Sequence, residues 1–527
     1  MKVKKLLMLL PLALALASCN NPIIGSDSNS SDNTNGNEPT NTIKPSSPSN
    51  NEGEMVINLL EFNDLHGHLE QDNGKYGISN AAYLVEQIRN EDNLDNTILL
   101  AAGDMFQETA LARLSYGRVV VDCMSEMGFD MMNLGNHEFD WTLPRVLEYW
   151  DGNLDNGEAS FPLINTNLYD DNGNLVTISG GNIVPSTIIE REGIKIGLIG
   201  LLGNVESSIL ASMTEGYDMR GKDDQIAAIV EAEGKRLKDN GADIIVVSIH
   251  DGDTRRVENY GANKKLAYLK YNDEYLVDAV INGHTHSKVK GAISRADGVA
   301  MPVIQSQAYY PDSGNLNCFG RIDLTIDLKT KDVIASESSH ISVSKAGNKY
   351  NKDVQAIVDS YYNASKEILE ESYCYNEVEM SRYSDATKWV SNMMMAYTGA
   401  NASISNNGGI RGTVPVGQIG FKEIYNFNPF DNEIILMDIR GYDLKSFLDK
   451  NSSYYFYGTE DGFIDQNKTY RLAIIDYVFY SKYFQAYKTK EFTNTHLTVR
   501  DLMISELRNY KDTGFNVSRD YNNMHNK

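Results

Sequence analysis

Residues 134–141 read LGNHEFDW, and they place three reactive side chains within five positions. An amide (Asn136), an imidazole (His137) and a carboxylate (Asp140) follow an apolar run and a glycine. Proteins of the α/β class display reactive groups where a buried strand passes into such a turn. The stretch therefore predicts an active-site loop, against the simpler alternative of a polar surface turn.

Four other apolar segments end in the same way. We expect strands over residues 55–62, 97–102, 246–250 and 280–282, and the polar groups at or beyond their ends are Asp64, His66, Asp104, His250, His284 and His286. With His137 included, the groups named here contain five of the nine histidines. Because ligands bind beyond the carboxyl ends of strands in open α/β sheets, we expect all these groups to converge on one rim. Their concentration favours a metal site over unrelated core or surface histidines.

Asp64 and His66 are two positions apart in the first of these motifs. Side chains alternate along an extended segment, so we expect both residues to point to the same side and to face one metal ion.

The motifs DLHGH, GDMFQ, GNHEFD and GHTH resemble, in order and spacing, those of the calcineurin-like metallophosphoesterases, in particular the exported 5'-nucleotidase family. The resemblance covers about residues 55–310. It implies a four-layer α/β sandwich, joined by a helix to a second α/β domain that carries the substrate pocket. It also implies two divalent ions, one held by Asp64, His66 and His286 and the other by Asn136, His250 and His284, with Asp104 as the bridge. His137 would be the catalytic imidazole, with Asp140 behind it.

Two such ions would activate a water molecule near neutral pH and would hold the phosphoryl oxygens. His137 could then donate a hydrogen bond or a proton to the leaving group, while Asp140 fixes its tautomer. A ligand set of nitrogen and oxygen without thiolate suits Zn, Mn, Co or Fe better than Ca, and it does not choose among them.

A second set of motifs lies beyond residue 372. Residues 406–411 (NNGGIR) resemble the glycine-rich NGGGIR turn of the same family, which implies substrate binding by Asn406, Gly408, Gly409 and Arg411. Arginine offers a planar fork to phosphate. Phe430 resembles the residue that stacks on the base, with ordinary core packing as the alternative, and Tyr477 falls where a second stacking ring is expected. Arg382 is a further candidate for phosphate contact.

The C-terminal segment also departs from the family. The GGDGY-like loop is missing, and Tyr483 lies near the place of the acidic residue that meets the ribose hydroxyls. The substrate could therefore be a nucleoside monophosphate, a 2',3'-cyclic nucleotide, a nucleotide sugar or another small ester. The family's rotation of the second domain about the helix is a further hypothesis.

The N-terminus predicts export and lipid attachment. Lys2, Lys4 and Lys5 precede an apolar run over residues 6–17, and small residues lead to Cys19. This order resembles a bacterial lipoprotein signal, and the run is too short for a membrane span, which needs about 20 residues. A plain secretory signal is the alternative. Residues 20–54 are rich in Ser, Asn, Pro and Gly and predict a disordered tether.

Length and charge bound the remaining possibilities. A chain of 527 residues suggests two or three domains, at roughly 100 to 250 residues each. We expect a signal peptide (1–19), the tether (20–54), a metallophosphoesterase domain (55–345), a linker helix (346–372) and a substrate-binding domain (373–527). The net charge of −24 argues against a nucleic-acid polymer as partner. We therefore expect a lipid-anchored enzyme that acts on small nucleotides, with a non-catalytic surface-binding lipoprotein as the alternative from another class.

Overall fold

The protein is described by a computed structural model over residues 53–71, 75–92, 96–306, 309–310 and 315–524. The predicted signal peptide, its Cys19 and nearly all of the predicted tether lie outside these residues. The described chain has an N-terminal domain with two large sheets and a C-terminal domain with one large sheet, and a helix joins the two domains.

The N-terminal domain is built from many short strands and a few helices. Its strands are β1 (Glu54–Phe62), β2 (Thr97–Ala101), β3 (Met131–Asn133), β4 (Leu163–Ile164), β5 (Leu168–Asp170), β6 (Ile183–Val184), β7 (Ser186–Arg191), β8 (Ile194–Leu202), β9 (Tyr217–Met219), β10 (Ile244–His250), β11 (Lys270–Tyr271), β12 (Glu274–Tyr275), β13 (Ala279–Asn282), β14 (Val289–Ile293), β15 (Met301–Gln305), β16 (Tyr309–Tyr310), β17 (Asn315–Leu316), β18 (Cys318–Asp327) and β19 (Val333–Ser342). Its helices are α1 (Ile78–Asp92), α2 (Ala110–Leu114), α3 (Arg118–Met127), α4 (Leu143–Leu147), α5 (Asp223–Asp239) and α6 (Gly261–Ala267).

Two sheets carry the predicted strand-end motifs. The first has seven strands in the order β19-β18-β1-β2-β3-β4-β6, and the second has six in the order β14-β15-β13-β10-β8-β7. Within the first sheet β1, β2 and β3 run parallel, and within the second β8, β10 and β13 run parallel. The carboxyl ends of each parallel set therefore lie at one edge of its sheet.

The two sheets share one apolar core. Ile57 of β1 and Leu100 of β2 lie in the same buried cluster as Val246 of β10. The next residue of β10, Val247, points to the opposite face and packs in a second cluster with Ile226 of α5. Side chains alternate along a strand, so an uninterrupted apolar run is the pattern of a strand that is buried on both faces.

A single helix joins the domains, as the sequence predicts. Helix α7 (Lys352–Leu369) is capped by Asn351, whose side chain accepts hydrogen bonds from the amides of Asp353 and Val354 (both 3.0 Å). One face of the helix packs on the protein, because Val354 and Val358 are buried and the Tyr361 hydroxyl donates to Asp122 at 2.6 Å. An N-cap side chain and one buried face are what a helix of this length needs for stability.

The C-terminal domain has its own core around a five-stranded sheet. Its strands are β20 (Ser372–Asn376), β21 (Ala402–Asn406), β22 (Gly417–Gly420), β23 (Glu433–Arg440), β24 (Tyr455–Thr459), β25 (Thr469–Ile475) and β26 (Phe492–Thr498), and its helices are α8 (Asp385–Thr398), α9 (Phe421–Phe427), α10 (Gly441–Asn451), α11 (Asp476–Tyr480), α12 (Val499–Arg508) and α13 (Val517–Met524). The sheet order is β24-β21-β25-β23-β26. Trp389 of α8 and Phe447 of α10 are fully buried in this core.

The domains meet along the segment that follows β2. The Gln107 side chain donates to the carbonyl of Pro429 (3.1 Å) and accepts from the hydroxyl of Tyr425 (3.1 Å). The amide of Ala110 donates to the side chain of Asn426 (2.8 Å). These contacts bring the C-terminal domain against the loop that holds Asp104.

No described helix has the length and apolar character that crossing a bilayer requires. Cys123, Cys318 and Cys374 are all buried.

Candidate active site

The polar groups predicted from the strand ends do meet, but they come from two sheets rather than from the single rim that the sequence suggests. Asp64, Asp104 and Asn136 follow β1, β2 and β3 of the first sheet. His250 ends β10 and His284 follows β13 of the second sheet. The apolar runs alone predict buried strands without assigning them to sheets, so the sequence could not separate these two arrangements.

The backbone conformation of these residues sets the direction of their side chains, and it shows that the extended segment expected at Asp64 and His66 is wrong. Asp64 and His66 do not lie on an extended segment, since both have left-handed backbones with φ near 50°. Asp104, His284 and His286 share this conformation. Left-handed residues other than glycine are uncommon and collect at functional sites, where the surrounding structure holds them. The side chains of Asp64 and His66 still converge, at 3.8 Å between Oδ1 and Nε2.

The side chains form two clusters that share one carboxylate. The first cluster contains Asp64, His66, Asp104 and His286, and the second contains Asp104, His250 and His284. The Nε2 atoms of His66 and His286 lie 2.9 Å apart, and Oδ2 of Asp104 lies 3.0 Å from Nε2 of His250. Asn136 joins the second cluster, with its Oδ1 at 3.2 Å from the same nitrogen of His250.

These donor atoms fit divalent cations. Two nitrogens that each lie about 2.1 Å from one ion are separated by roughly 3 to 3.4 Å, close to the distance between His66 and His286. The other ring nitrogens are held by main-chain carbonyls, Nδ1 of His66 by Gln107 (2.9 Å) and Nδ1 of His250 by Ala102 (2.7 Å). Such outer contacts fix the tautomer of a metal-binding histidine. Oδ2 of Asp104 is buried between the two clusters, 3.0 Å from Nε2 of His250 and 3.9 Å from Nε2 of His66, as a shared cation ligand would be.

Two glycines allow the loops to approach one another this closely. A Cβ at Gly135 would lie 2.3 Å from Oδ1 of Asp104, and a Cβ at Gly103 would lie 2.6 Å from the amide nitrogen of Gly135. Gly103 also has a φ of +84°, which side chains rarely adopt. The glycine before each acidic or amide group is therefore needed for the convergence of the clusters.

His137 lies beside both clusters and is 9% exposed. Its Nδ1 lies 2.8 Å from Oδ2 of Asp140. Burial lowers the pKa of His137, but the carboxylates of Asp140 and Asp104 outweigh it and raise that pKa to about 9. Arg411 approaches Nε2 at 3.1 Å. A guanidinium can donate only to an unprotonated nitrogen, so protonation of Nε2 and this contact are alternatives.

Glu138 was not singled out from the sequence, yet it ties two loops together. Its carboxylate is fully buried and accepts from the amides of Asp104 (2.8 Å), Met105 (2.9 Å) and Gly135 (2.6 Å). Burial raises the pKa of Glu138 to about 7, although the amides of Gly135 and Asp104 oppose this rise. The sequence did not indicate this supporting role, because Glu138 lies inside the motif between His137 and Asp140, which carry the predicted functional groups.

A cavity of about 390 Å³ opens above the clusters and lies between the domains. The N-terminal domain lines it with Asp104, Gln107, Asn136, His137, Asp140, Ser208, Leu210, Met213, His284, Thr285 and His286, and the C-terminal domain with Asn406, Gly408, Arg411, Phe430, Asp431, Asn432 and Tyr477. Phe430 is half-buried outside the main core, and its ring stacks on that of His137 with centroids 5.8 Å apart. The cavity therefore combines four of the predicted metal ligands (Asp104, Asn136, His284 and His286) with two aromatic rings and an arginine.

Three predicted or suspected binding residues are not among those that line the cavity. Arg382 lies over the ring of Tyr383 instead, 5.0 Å from its centroid. Gly409 is buried within the glycine-rich turn, and its carbonyl accepts from the side chain of Asn428 (2.8 Å). Tyr483 is half exposed. Leu210 and Met213 line the cavity, but the sequence did not indicate them, because their loop after β8 carries no motif.

Two protein-family models match the chain. Residues 57–288 match the calcineurin-like phosphoesterase, and residues 368–463 match the C-terminal domain of 5'-nucleotidases. The chain belongs to the 5'-nucleotidase family of metallophosphoesterases. The family and the two-domain α/β architecture expected from the sequence are thereby confirmed, as is the presence of a cluster able to bind divalent cations.

Relatives of this metallophosphoesterase include proteins of several lengths. It is 26% identical to endonuclease YhcR of Bacillus subtilis over 76% of its own chain, but that alignment spans only 33% of the longer relative. It is 22% identical to a 5'-nucleotidase of Vibrio cholerae over 74% of its own chain and 75% of the relative. The solved 5'-nucleotidase precursor of Thermus thermophilus shares the fold, with a TM-score of 0.70, 18% identity and coverage of 87% and 97% of the two chains.

Proposed function

We propose that this metallophosphoesterase releases inorganic phosphate from nucleotides at a site that holds two divalent cations. One observation carries the proposal. Asp104 belongs to both candidate ligand clusters, and it lies in the floor of a cavity whose C-terminal wall carries Arg411, Phe430 and Tyr477. A shared carboxylate supports a dinuclear centre, and the opposite wall supports a ligand with a phosphoryl group and an aromatic base.

The residues divide into two groups by role. Asp64, His66 and His286 would hold one cation, Asn136, His250 and His284 would hold the other, and Asp104 would bridge them. Such a pair supplies Lewis-acid activation of water and of the phosphoryl oxygens when bound.

His137 contributes separately from these ligands. Its Nε2 faces Arg411 at the cavity, while Nδ1 is held by Asp140. A ring fixed in this way can donate to the leaving oxygen without rotating. The carboxylate of Asp140 favours the imidazolium form, which supports this role.

Recognition of the substrate would rest on the C-terminal wall. Among the described residues that line the cavity, Arg411 is the one arginine or lysine. Its guanidinium is therefore the group that would bind a phosphoryl group. Phe430 and Tyr477 offer ring faces to a base, and stacking on such rings contributes about 1–3 kcal/mol per base. Asp431 and Asn432 supply polar groups on the same wall.

A cyclic nucleotide or a nucleotide sugar is the second candidate substrate. Tyr483 replaces the acidic residue that the family places against the ribose, and it does not line the cavity. Weaker recognition of free ribose hydroxyls favours the 2',3'-cyclic nucleotide of these two, because its ribose hydroxyls are esterified whereas those of a nucleotide sugar are free.

We also propose that the mature protein is exported and lipid-anchored through Cys19. The support is the sequence of residues 1–19 alone, which combines lysines, a short apolar run and small residues before the cysteine. A Cys19→Ser variant should leave the membrane fraction of the cell of origin, and full retention of this variant in the membrane would contradict the anchor.

Rates on a panel of substrates test the activity. The protein with added Mn²⁺ should release phosphate from AMP, and its kcat/KM on AMP should exceed those on UDP-glucose and on 2',3'-cyclic AMP. A higher value on either of the latter would favour the second candidate. Inactivity on all three with two bound metal ions per chain would refute both nucleotide readings and favour a binding protein.

A further inference from the structure

Glu108 lies at the boundary between the two domains and has no part in the two ligand clusters. It is 2% exposed, and its Oε1 lies 2.7 Å from Nε of Arg411. The same oxygen lies 3.6 Å from Nδ1 of His66. A buried carboxylate therefore sits between the cation ligands and the arginine that faces the cavity.

Neighbouring contacts fix Glu108 in this place. Gln107, directly before it, exchanges hydrogen bonds with Pro429 and Tyr425 of the C-terminal domain. Thr109, directly after it, donates to the carbonyl of Gly67 at 2.7 Å. Because both neighbours are held, the carboxylate cannot easily withdraw from Arg411.

The charge of Glu108 affects how strongly the cavity attracts anions. The chain carries a net charge of −24, and the described cavity wall has carboxylates in Asp104, Asp140 and Asp431 but only Arg411 as a cationic side chain of the Arg or Lys type. An anion that enters the cavity depends on Arg411 and on bound metal ions. An opposite charge at 2.7 Å in a buried setting weakens the attraction of Arg411 for any second anion.

We propose that Glu108 is a positioning residue that limits the anion affinity of Arg411. It holds the guanidinium at the cavity wall, and the phosphoryl group of a substrate must share or replace this ion pair to bind. The same competition weakens the hold on inorganic phosphate, so the product leaves more readily. This inference rests on the proposed phosphatase function, since it assigns Arg411 to the phosphoryl group.

Replacing Glu108 by glutamine tests the effect of its charge while its shape is kept. Glu108→Gln keeps the volume and one oxygen beside Arg411 but removes the negative charge, so Mn²⁺-loaded protein should bind inorganic phosphate about tenfold more tightly. Isothermal titration calorimetry at fixed ionic strength measures this directly. In steady state, KM should fall and kcat should not rise, because the product dissociates more slowly.

Glu70 provides a matched control. Its carboxylate forms another ion pair between the domains, 2.7 Å from Nζ of Lys422, and neither residue lines the cavity. Glu70→Gln should leave the dissociation constant of phosphate within twofold of the wild type. Glu108→Ala is the second test variant, and it should also tighten phosphate binding if Glu108→Gln fails to fold.

The outcomes distinguish this inference from the proposed function. Tighter phosphate binding in a Glu108 variant, together with wild-type inactivity on nucleotides, would support the role of Glu108 and refute the nucleotide substrate. Unchanged or weaker phosphate binding in the folded variants, or no phosphate binding by the wild type, would overturn the role of Glu108, whatever the nucleotide rates.

Discussion

Replacing Glu138 by glutamine tests whether the site depends on the loops that this buried carboxylate joins. Its two oxygens accept three main-chain hydrogen bonds, one from Met105 and two from Asp104 and Gly135. Glutamine keeps one oxygen and turns an NH₂ group toward the remaining amides, so at least one charge-assisted bond is lost. A hydrogen bond to a charged group contributes about 1.5–3 kcal/mol.

The loss should appear as weaker metal binding, because the joined loops carry Asp104 and Asn136. A cost of this size corresponds to a loss of roughly 10- to 100-fold in affinity, the range known for residues that support metal ligands. Competition with a chelating dye at pH 7.5 would measure the affinity for Mn²⁺. Glu148→Gln, on the partly exposed partner of Arg145, is the control and should change nothing. A Glu138→Gln affinity within threefold of wild type would refute the supporting role.

Three further variants address the remaining roles. His137→Ala should retain its metal while turnover falls by roughly two to four powers of ten, and loss of metal by elemental analysis would contradict its assignment to the leaving group. Asp104→Asn should lower the occupancy of both cations, so two full equivalents in that variant would argue against a bridging carboxylate. Phe430→Ala should raise KM for AMP by roughly 5- to 100-fold through lost stacking, whereas Phe463→Ala, at a ring that is 63% exposed, should not. Equal KM values in those two variants would remove Phe430 from the base site.

Sequence motifs identified the candidate metal ligands because each is attached to a recognisable local pattern. An apolar strand followed by Asp, His or Asn was enough to select Asp64, Asp104 and His250, and the structure brings these residues together. The patterns could not assign strands to sheets, since β2 and β10 are both predominantly apolar. They also could not show that Asp64 and His66 have left-handed backbones, because neither residue type requires that conformation.

Residues that act across the domain boundary were harder to find. The positions of Glu108 and Met213 become informative only when the C-terminal domain lies opposite them. No local sequence pattern encodes that arrangement of the domains. Arg382 is still only a predicted phosphate contact, since its side chain lies over the ring of Tyr383 and does not line the cavity. Contacts between distant segments depend on the packing of whole domains, which short motifs do not report.

The most direct test of the account is the position of bound metal in crystals of the wild-type protein. Anomalous scattering from crystals grown with Mn²⁺ should give two peaks roughly 3.5–4 Å apart on either side of the Asp104 carboxylate. One peak should lie against Asp64, His66 and His286, and the other against Asn136, His250 and His284. A single peak, or two peaks that do not share Asp104, would contradict the dinuclear site.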